Sequence, residues 1–303
     1  MKETQIPVTV VVPVKNEEAN LHRCLRQLSR FSEVIVVDSS STDRTPEVAL
    51  KHGAKIVNFS WNGTYPKKRN WILINQKLKN EWVLFLDADE VVTQKFCDSV
   101  STAILSTSIN AYWLNYTNYF LGAPLRHGVR QRKIALFRIG KGLYEKVEEA
   151  RWSNLDMEVH EHPIIEGPIG ELRDNIEHND DRGMSRFIER HNQYASWEAR
   201  RYLAVEADPT ATKLLTSRQR AKYRNAERWW FPWLYFIYSY VWKLGFLDGT
   251  PGLYYSFYKT WYFLSLRLII AELRKQAASI TPGTQDTDEQ VALGEAASPR
   301  SSC

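Results

Sequence analysis

Val8 to Val14 is an unbroken apolar, largely β-branched run, VTVVVPV, as in a strand buried on both faces. After it, Leu21, Cys24, Leu25 and Leu28 recur at i, i+3, i+4 and i+7, one stripe of a helix. Asn16 is its candidate N-cap, and Glu17 and Glu18 suit the first-turn dipole. The alternation repeats. EVIVVD (Glu33 to Asp38) predicts a second buried strand, then a helix capped by Thr45, with Pro46 in its first turn and Gly53 beyond its end. KIVNF, KKRNWILINQ and WVLFLDAD predict strand, helix and strand. Such alternation implies right-handed βαβ units and a mainly parallel sheet, an α/β fold.

From Tyr112 to about Pro168 the pattern turns to aromatic-rich β segments and loops. A long helix is expected from Met184, with Met184, Ile188, Ala195, Ala199 and Tyr202 on one face. These changes suggest a ligand-binding half over 1–110, a second half over 111–181, a basic and aromatic helical region over 182–276 and a disordered tail over 277–303.

The 303 residues carry a net charge of +5, but the last 27 carry −3, which leaves +8 on the body and suggests an anionic partner. Cys24, Cys97 and Cys303 show no metal-ligand spacing and read as reduced thiols of a cytosolic protein. No secretory signal pattern is present.

Ligands of such sheets bind beyond the carboxyl ends of the strands, where Asp38 and Asp87 both fall. If extended geometry persists, Asp87 and Asp89 point the same way and can converge on a cation. Hard oxygen ligands suit Mg²⁺ or Mn²⁺, with substrate phosphate and water completing the shell. Asp38, followed by small hydroxyl residues and Asp43, can accept hydrogen bonds from a base or sugar; the alternative is that Asp38 or Ser41 caps the next helix. Lys67, Lys68, Arg69 and Asn70 at a helix start suit phosphate and base contacts, although at least one of the two lysines is expected in a solvated turn.

VVPVKNEEANL, VVDSSSTDRT, KKRN and LFLDADE, in this order, resemble the nucleotide-binding half of family 2 glycosyltransferases of the GT-A fold, over roughly Pro7 to Val92. Where that family commonly has an Asp and a Gly after its first Asp, this chain has Ser39 and Ser40. The resemblance implies transfer of a sugar from a nucleotide donor with inversion. It further implies donor contacts from Pro13, Lys15, Glu17, Asp38, Asp43, Lys68, Arg69, Asn70, Asp87 and Ala88. Asp89, with Asp87 and a late histidine, His178, would hold the divalent cation that stabilises the departing diphosphate.

Such a reaction needs a general base. NLDMEVHEHP, with Asp156, Glu158, His160, Glu161 and His162, resembles the V-H-E stretch of the family, which makes Glu161 the expected base; a polar hairpin edge is the alternative. Arg130 and Arg132, in RHGVRQRK, and His160 and His162 are candidates for acceptor or phosphate contacts.

Arg182 to Arg228 holds 11 Lys/Arg against 5 Asp/Glu, and Trp229 to Phe263 holds 17 of the 38 aromatic residues. Pro232 and Lys243 interrupt the one stretch near spanning length, so a surface-lying helical pair is expected. KLGFLDGTPG, NYFLGAPLRHG, LDMEVHEHP and SWEARRY resemble the glucosyltransferases that extend the lipopolysaccharide inner core. That resemblance implies a UDP-sugar donor, with UDP-glucose the expected case, a membrane-held glycolipid acceptor, the inner face of the cytoplasmic membrane, and no nucleic-acid partner.

Two rivals stand. FLDADEV fits the nucleophile motif of haloacid-dehalogenase-like phosphatases, but three βα units precede it and no later Gly-Asp-x-x-x-Asp follows. A non-enzymatic nucleic-acid-binding protein would use the basic, aromatic region but leaves the acidic strand ends unexplained.

Overall fold

The computed structural model describes residues 5–147, 156, 161–180, 182–208, 211–212 and 215–280. Glu158, His160 and 281–303, on which expectations were set, lie outside the described residues. The first run comprises β1 (Ile6–Val14), α1 (Glu18–Arg26), β2 (Phe31–Asp38), α2 (Thr45–Lys51), β3 (Lys55–Asn58), α3 (Lys68–Asn75) and β4 (Trp82–Phe85). Next come β5 (Glu90–Val91), α4 (Gln94–Ala103), β6 (Ala111–Phe120), β7 (Ala123–Pro124), β8 (Arg132–Arg138), β9 (Gly142–Tyr144), β10 (Pro163–Ile165) and β11 (Ile169–His178). The helices α5 (Gly183–Ala207), α6 (Ser217–Asn225), α7 (Phe231–Phe236) and α8 (Gly249–Ile280) follow. α8 therefore continues past the tail boundary expected at residue 277.

The strands order as β3-β2-β1-β4-β8-β6-β11-β5, with β7 on β6. β3, β2, β1 and β4 pair in parallel, as the alternation predicts. β8 then runs antiparallel between β4 and β6, so the whole sheet is mixed. Val8, Val10, Val11 and Val12 of β1 are all buried, so side chains on both faces of this strand are covered. β9 and β10 form a separate hairpin-like pair.

Contacts divide the chain into two compact units, Met1–His191 with Trp233–Thr260, and Asn192–Pro232 with Trp261–Cys303. The first holds the sheet. In the second, Ala199, Ala226, Leu266 and Ile270 form a small core, and Lys222 neutralises the buried Glu198 at 2.7 Å. On α5, Ala195 and Ala199 are buried as predicted, but Ile188 faces solvent. Phe187 packs on Phe120 in its place, with ring centroids 5.5 Å apart.

Asn16 is not the N-cap of α1. It adopts a left-handed backbone with φ 56°, and its side-chain oxygen accepts from Thr42 N at 2.8 Å. The first amides of α1 are instead satisfied from the neighbouring loop, Glu17 N by Thr45 Oγ1 at 2.8 Å and Glu18 N by Asp43 Oδ2 at 3.2 Å. The loops after β1 and β2 are thereby locked together at the carboxyl edge of the sheet.

Candidate active site

β4 ends at Phe85 and the chain turns at once, Glu90 N donating to Asp87 O at 2.9 Å. The turn ends the extended geometry, and the carboxylates of Asp87 and Asp89 take different ion-pair partners. Asp87 is bound by Arg69 of α3 at 2.5 Å and by Lys133 of β8 at 2.8 Å. Lys133 also binds the buried Glu90 at 2.8 Å and sits 5.1 Å from the centre of the Tyr116 ring. Burial opposes ionisation of Asp87, but Lys133 and Arg69 outweigh it and hold the carboxyl far below the usual range. Burial dominates at Glu90, whose pKa is raised despite Lys133.

Asp89 is placed by strand pairing. β11 runs antiparallel to β5 with His178 opposite Glu90, and Asn179 N donates to Asp89 O at 3.0 Å. This register sets His178 Nε2 3.4 Å from Asp89 Oδ1, while its Nδ1 pairs with Asn118 Oδ1 at 2.9 Å. Asp89 Oδ1 is buried and makes no hydrogen bond. Arg190 of α5 lies 3.5 Å from Asp89 Oδ2 and 3.0 Å from Asp180. Burial works against ionisation of both groups, yet their mutual attraction prevails, depressing the pKa of Asp89 and raising that of His178.

Behind Asp89 lies Glu17, whose pKa burial pushes up to about 7. Arg182 contacts it at 2.5 Å but is shared with Asp180 at 2.8 Å, so its charge is already partly spent. Asn20 joins Glu17 and Asp180, each at 3.1 Å.

The KKRN stretch is buried throughout, which corrects the expectation of a solvated lysine turn. Its four side chains go four ways. Lys67 pairs with Glu161 at 2.9 Å; Lys68 donates to Val14 O at 3.0 Å and meets Asp156 at 3.3 Å. Arg69 reaches Asp87, and Asn70 exchanges two hydrogen bonds with the backbone of Tyr144, at 2.8 and 2.9 Å. Asn70 thus ties α3 to β9. Glu145 N donates to His162 O at 3.1 Å, which fixes the chain leading from Glu161 into β10. Glu161 is not on an exposed hairpin edge; it is buried against Lys67.

The other predicted positions divide. Asp38 is buried at the end of β2, where Ser41 donates to it through Oγ and, at 3.0 Å, through its amide, so it does organise its own loop. Asp43 accepts from Thr45 and Glu18; burial opposes its ionisation but these bonds lower its pKa. Pro13 and Ala88 are buried, and Lys15 is exposed. Arg130 is exposed and donates to Arg126 O at 3.2 Å, and Arg132 pairs with Glu171 at 3.1 Å. Among the described residues neither contacts the acidic turn; Lys133, on the opposite face of β8 from Arg132, does.

A model of glycosyl transferase family 2 matches residues 9–154, which takes in both loops, KKRN and the acidic turn. An uncharacterized glycosyltransferase of Rickettsia bellii is 25% identical over 288 residues, 93% of this chain and 90% of that one. The chain belongs to glycosyl transferase family 2. The lipopolysaccharide core biosynthesis glycosyltransferase LpsC of Rhizobium meliloti is 24% identical over 269 residues, 84% of this chain and 90% of the relative. The crystal structure of S. aureus TarS 1-349 in complex with UDP-GlcNAc matches at a TM-score of 0.42 and 16% identity, over 89% of this chain and 92% of that one. The fold is GT-A-like: a mixed α/β sheet, parallel from β3 through β4, followed by helices.

In this glycosyltransferase the donor set of the acidic turn meets the needs of a hard divalent cation in part. Asp89 offers a buried oxygen without a hydrogen bond, beside an imidazole. Asp87, expected as a second ligand, has its oxygens engaged by Arg69 and Lys133. Among the described residues no group of three or more His, Cys, Asp or Glu is placed to hold an ion alone, so phosphate and water would have to complete the shell. Arg182, Asp180 and Arg190 were not foreseen as part of the site. Their one sequence signal was a cluster of charge at the start of a helix whose remaining face is apolar.

Proposed function

We propose that this family 2 enzyme moves a hexose, with glucose from UDP-glucose the expected case, onto a hydroxyl of a membrane-held lipopolysaccharide-core acceptor, with inversion. The observation that carries the chemistry is Asp89, a buried carboxylate at the carboxyl edge of the sheet whose Oδ1 has the His178 imidazole beside it at 3.4 Å. Similarity to LpsC over most of both chains supports the acceptor class. That acceptor carries a location with it, the cytoplasmic face of the inner membrane.

Asp89 and His178 would hold a Mg²⁺ or Mn²⁺ ion, which when bound supplies positive charge to the departing diphosphate. Asp38 and the Ser41 loop would orient the nucleoside, and Lys68 and Arg69 its phosphates. The acceptor oxygen attacks the anomeric carbon as its bond to the diphosphate breaks. Glu161 takes the hydroxyl proton, and Lys67 fixes the orientation of that carboxylate. His162 and Arg130 remain candidates for the acceptor side.

Thermal stabilisation by a panel of nucleotide sugars, with Mg²⁺ or Mn²⁺ and with EDTA, tests the reading. UDP-sugars should stabilise the protein only with the metal, and Asp89→Asn should abolish the effect. Stabilisation that survives both EDTA and Asp89→Asn would refute the assigned role of Asp89. Hydrolysis of phosphomonoesters with no response to any nucleotide sugar would favour the phosphatase instead.

A further inference from the structure

Between Trp233 and Thr260, all within the first unit, side chains are distributed in the reverse of a water-facing helical hairpin. The buried positions are small: Ser239, Gly245, Gly252, Ser256 and Thr260. The hydroxyls of Ser239 and Ser256 lie 3.4 Å apart. A Cβ on Gly252 would stand 2.1 Å from Gly245 O, and one on Gly245 would stand 2.8 Å from Ser239 O, so backbone packs on backbone. The exposed positions are large. Trp233, Leu234, Ile237, Tyr238, Val241 and Trp242 recur in pairs every four residues. Such a stripe drifts around an α-helix of 3.6 residues per turn, but a π-helical turn over Ile237–Trp242 follows α7 and its wider winding keeps the pairs on one side. Leu247, Tyr254 and Phe257 extend the exposed set.

Small residues inside and large apolar ones outside is the packing of helices whose surroundings are lipid. In water the same surface gains nothing from the hydrophobic effect and reads as a contact face. Among the described residues no helix is long and apolar enough to cross a membrane, so contact would be with one leaflet.

Charge identifies the partner. Between Glu227 and Glu272 the only acid is Asp248, and its side chain is 5% exposed. It accepts from Arg126 N at 3.1 Å, from His127 N at 2.8 Å and pairs with the His127 ring at 2.8 Å. These bonds, with Gly128 N donating to Lys243 O at 2.8 Å, fasten the basic loop carrying Arg126 and Arg130 to the aromatic segment. Lys243 lies 5.5 Å from the centre of the Tyr238 ring, and Lys259 lies 5.6 Å from that of Tyr255. The face therefore offers aromatic rings and cations, with its one acid turned inward.

We propose that this segment, with Arg126 and Arg130, is the face that docks the protein on an anionic phospholipid bilayer. Its rings enter the headgroup boundary and its cations meet lipid phosphates. The docking face rests for its purpose on the reading that the acceptor is membrane-held.

The test sediments the full chain with vesicles of phosphatidylglycerol and phosphatidylethanolamine, and separately with phosphatidylcholine vesicles. Binding to the anionic vesicles should be stronger, should fall with salt, and should shift tryptophan emission to the blue. Trp242→Ser combined with Leu247→Ser alters side chains 78% and 55% exposed, so the melting temperature should hold. Partition should fall by at least about tenfold. A chain that stays in the supernatant with every vesicle overturns the proposal. So does a concentration-dependent dimer, formed without lipid and lost in the double variant, which would mean that a second copy covers the face. UDP-glucose stabilisation, read on the same samples, separates the two readings. Donor binding without vesicle binding removes the docking face alone, whereas vesicle binding without donor binding supports the face and removes the transferase chemistry.

Discussion

Lys67 and Glu161 form a buried ion pair at 2.9 Å, their side chains 8% and 1% exposed. Lys67→Met leaves the carboxylate buried without this cation, a change that costs about 3–5 kcal/mol when one partner of a buried pair is removed. Glu161→Gln keeps a carbonyl oxygen for the ammonium and should cost less, about 1–3 kcal/mol. The double variant buries neither charge, so its loss should fall short of the sum of the single losses by about 2 kcal/mol or more. Urea unfolding of the four proteins, with unchanged m values, measures this coupling directly.

The same cycle separates structure from catalysis. If Glu161 is the base, Glu161→Gln should bind UDP-sugar as the wild type does and lose transfer by about 10² to 10⁴-fold. Lys67→Met should also lose transfer, through misorientation of the carboxylate. Additivity within about 0.5 kcal/mol would refute the energetic argument, because it would mean the pair does not form in the folded protein. Large coupling with wild-type transfer by Glu161→Gln would refute the chemical one, and Glu161 would then be only the counterion of Lys67.

Glu17 predicts a pH dependence. Its folded pKa is raised from 4.5 to about 7, so the folded state keeps a proton that the unfolded chain releases. Its contribution is complete below the unfolded value and is lost as pH rises through the folded one, on the order of 3 kcal/mol. Urea midpoints in EDTA should therefore fall more steeply between about pH 5 and pH 8 in the wild type than in Glu17→Gln, and equal slopes would contradict the burial argument. Gly252→Ala should destabilise the protein by about 1–3 kcal/mol, since the new methyl meets a backbone oxygen at 2.1 Å rather than a movable side chain. A wild-type melting temperature would show that the two backbones are not in contact.

What could be read along the chain was what is local. β1, β2, β4 and the helices between them follow from runs and stripes of a dozen residues or fewer; Asp38 ends β2, and the acidic turn follows β4. The site's other half is assembled by distant pairing. β5 has two residues and no apolar pattern, yet its register with β11 brings His178 to Asp89. Arg190 reaches the same carboxylate from 101 residues away in sequence. KKRN shows why charge alone misleads. Four consecutive polar residues normally mark a solvated surface, but each here is itself buried and has a partner on a different segment. The aromatic segment around Trp242 was legible as unusual, whereas its small, hydroxyl-bearing interior was not, because only the fold says which side of it faces in.

The question left by three carboxylates in four positions is what compensates them, and the described contacts answer it with protein cations. Arg69 comes from α3, Lys133 from β8, Arg190 from α5 and His178 from β11. A buried carboxylate without such partners would cost several kcal/mol, so the rim is stable only when four separate elements have arrived. That cost explains why the acids sit on a short turn tied to β11 rather than on a free loop. On the proposed function it also bears on what a nucleotide diphosphate would meet there. Incoming phosphates would add negative charge to a rim already in balance, so they would have to bring a cation or draw one away from a carboxylate. Asp87 has little to offer a metal while Arg69 and Lys133 hold it. Asp89, with a buried oxygen lacking a hydrogen bond, is where a divalent ion costs least to add. Of the two aspartates, then, Asp87 is held by its cations at 2.5 and 2.8 Å and Asp89 by longer contacts of 3.4 and 3.5 Å, which is why the proposed metal site rests on Asp89.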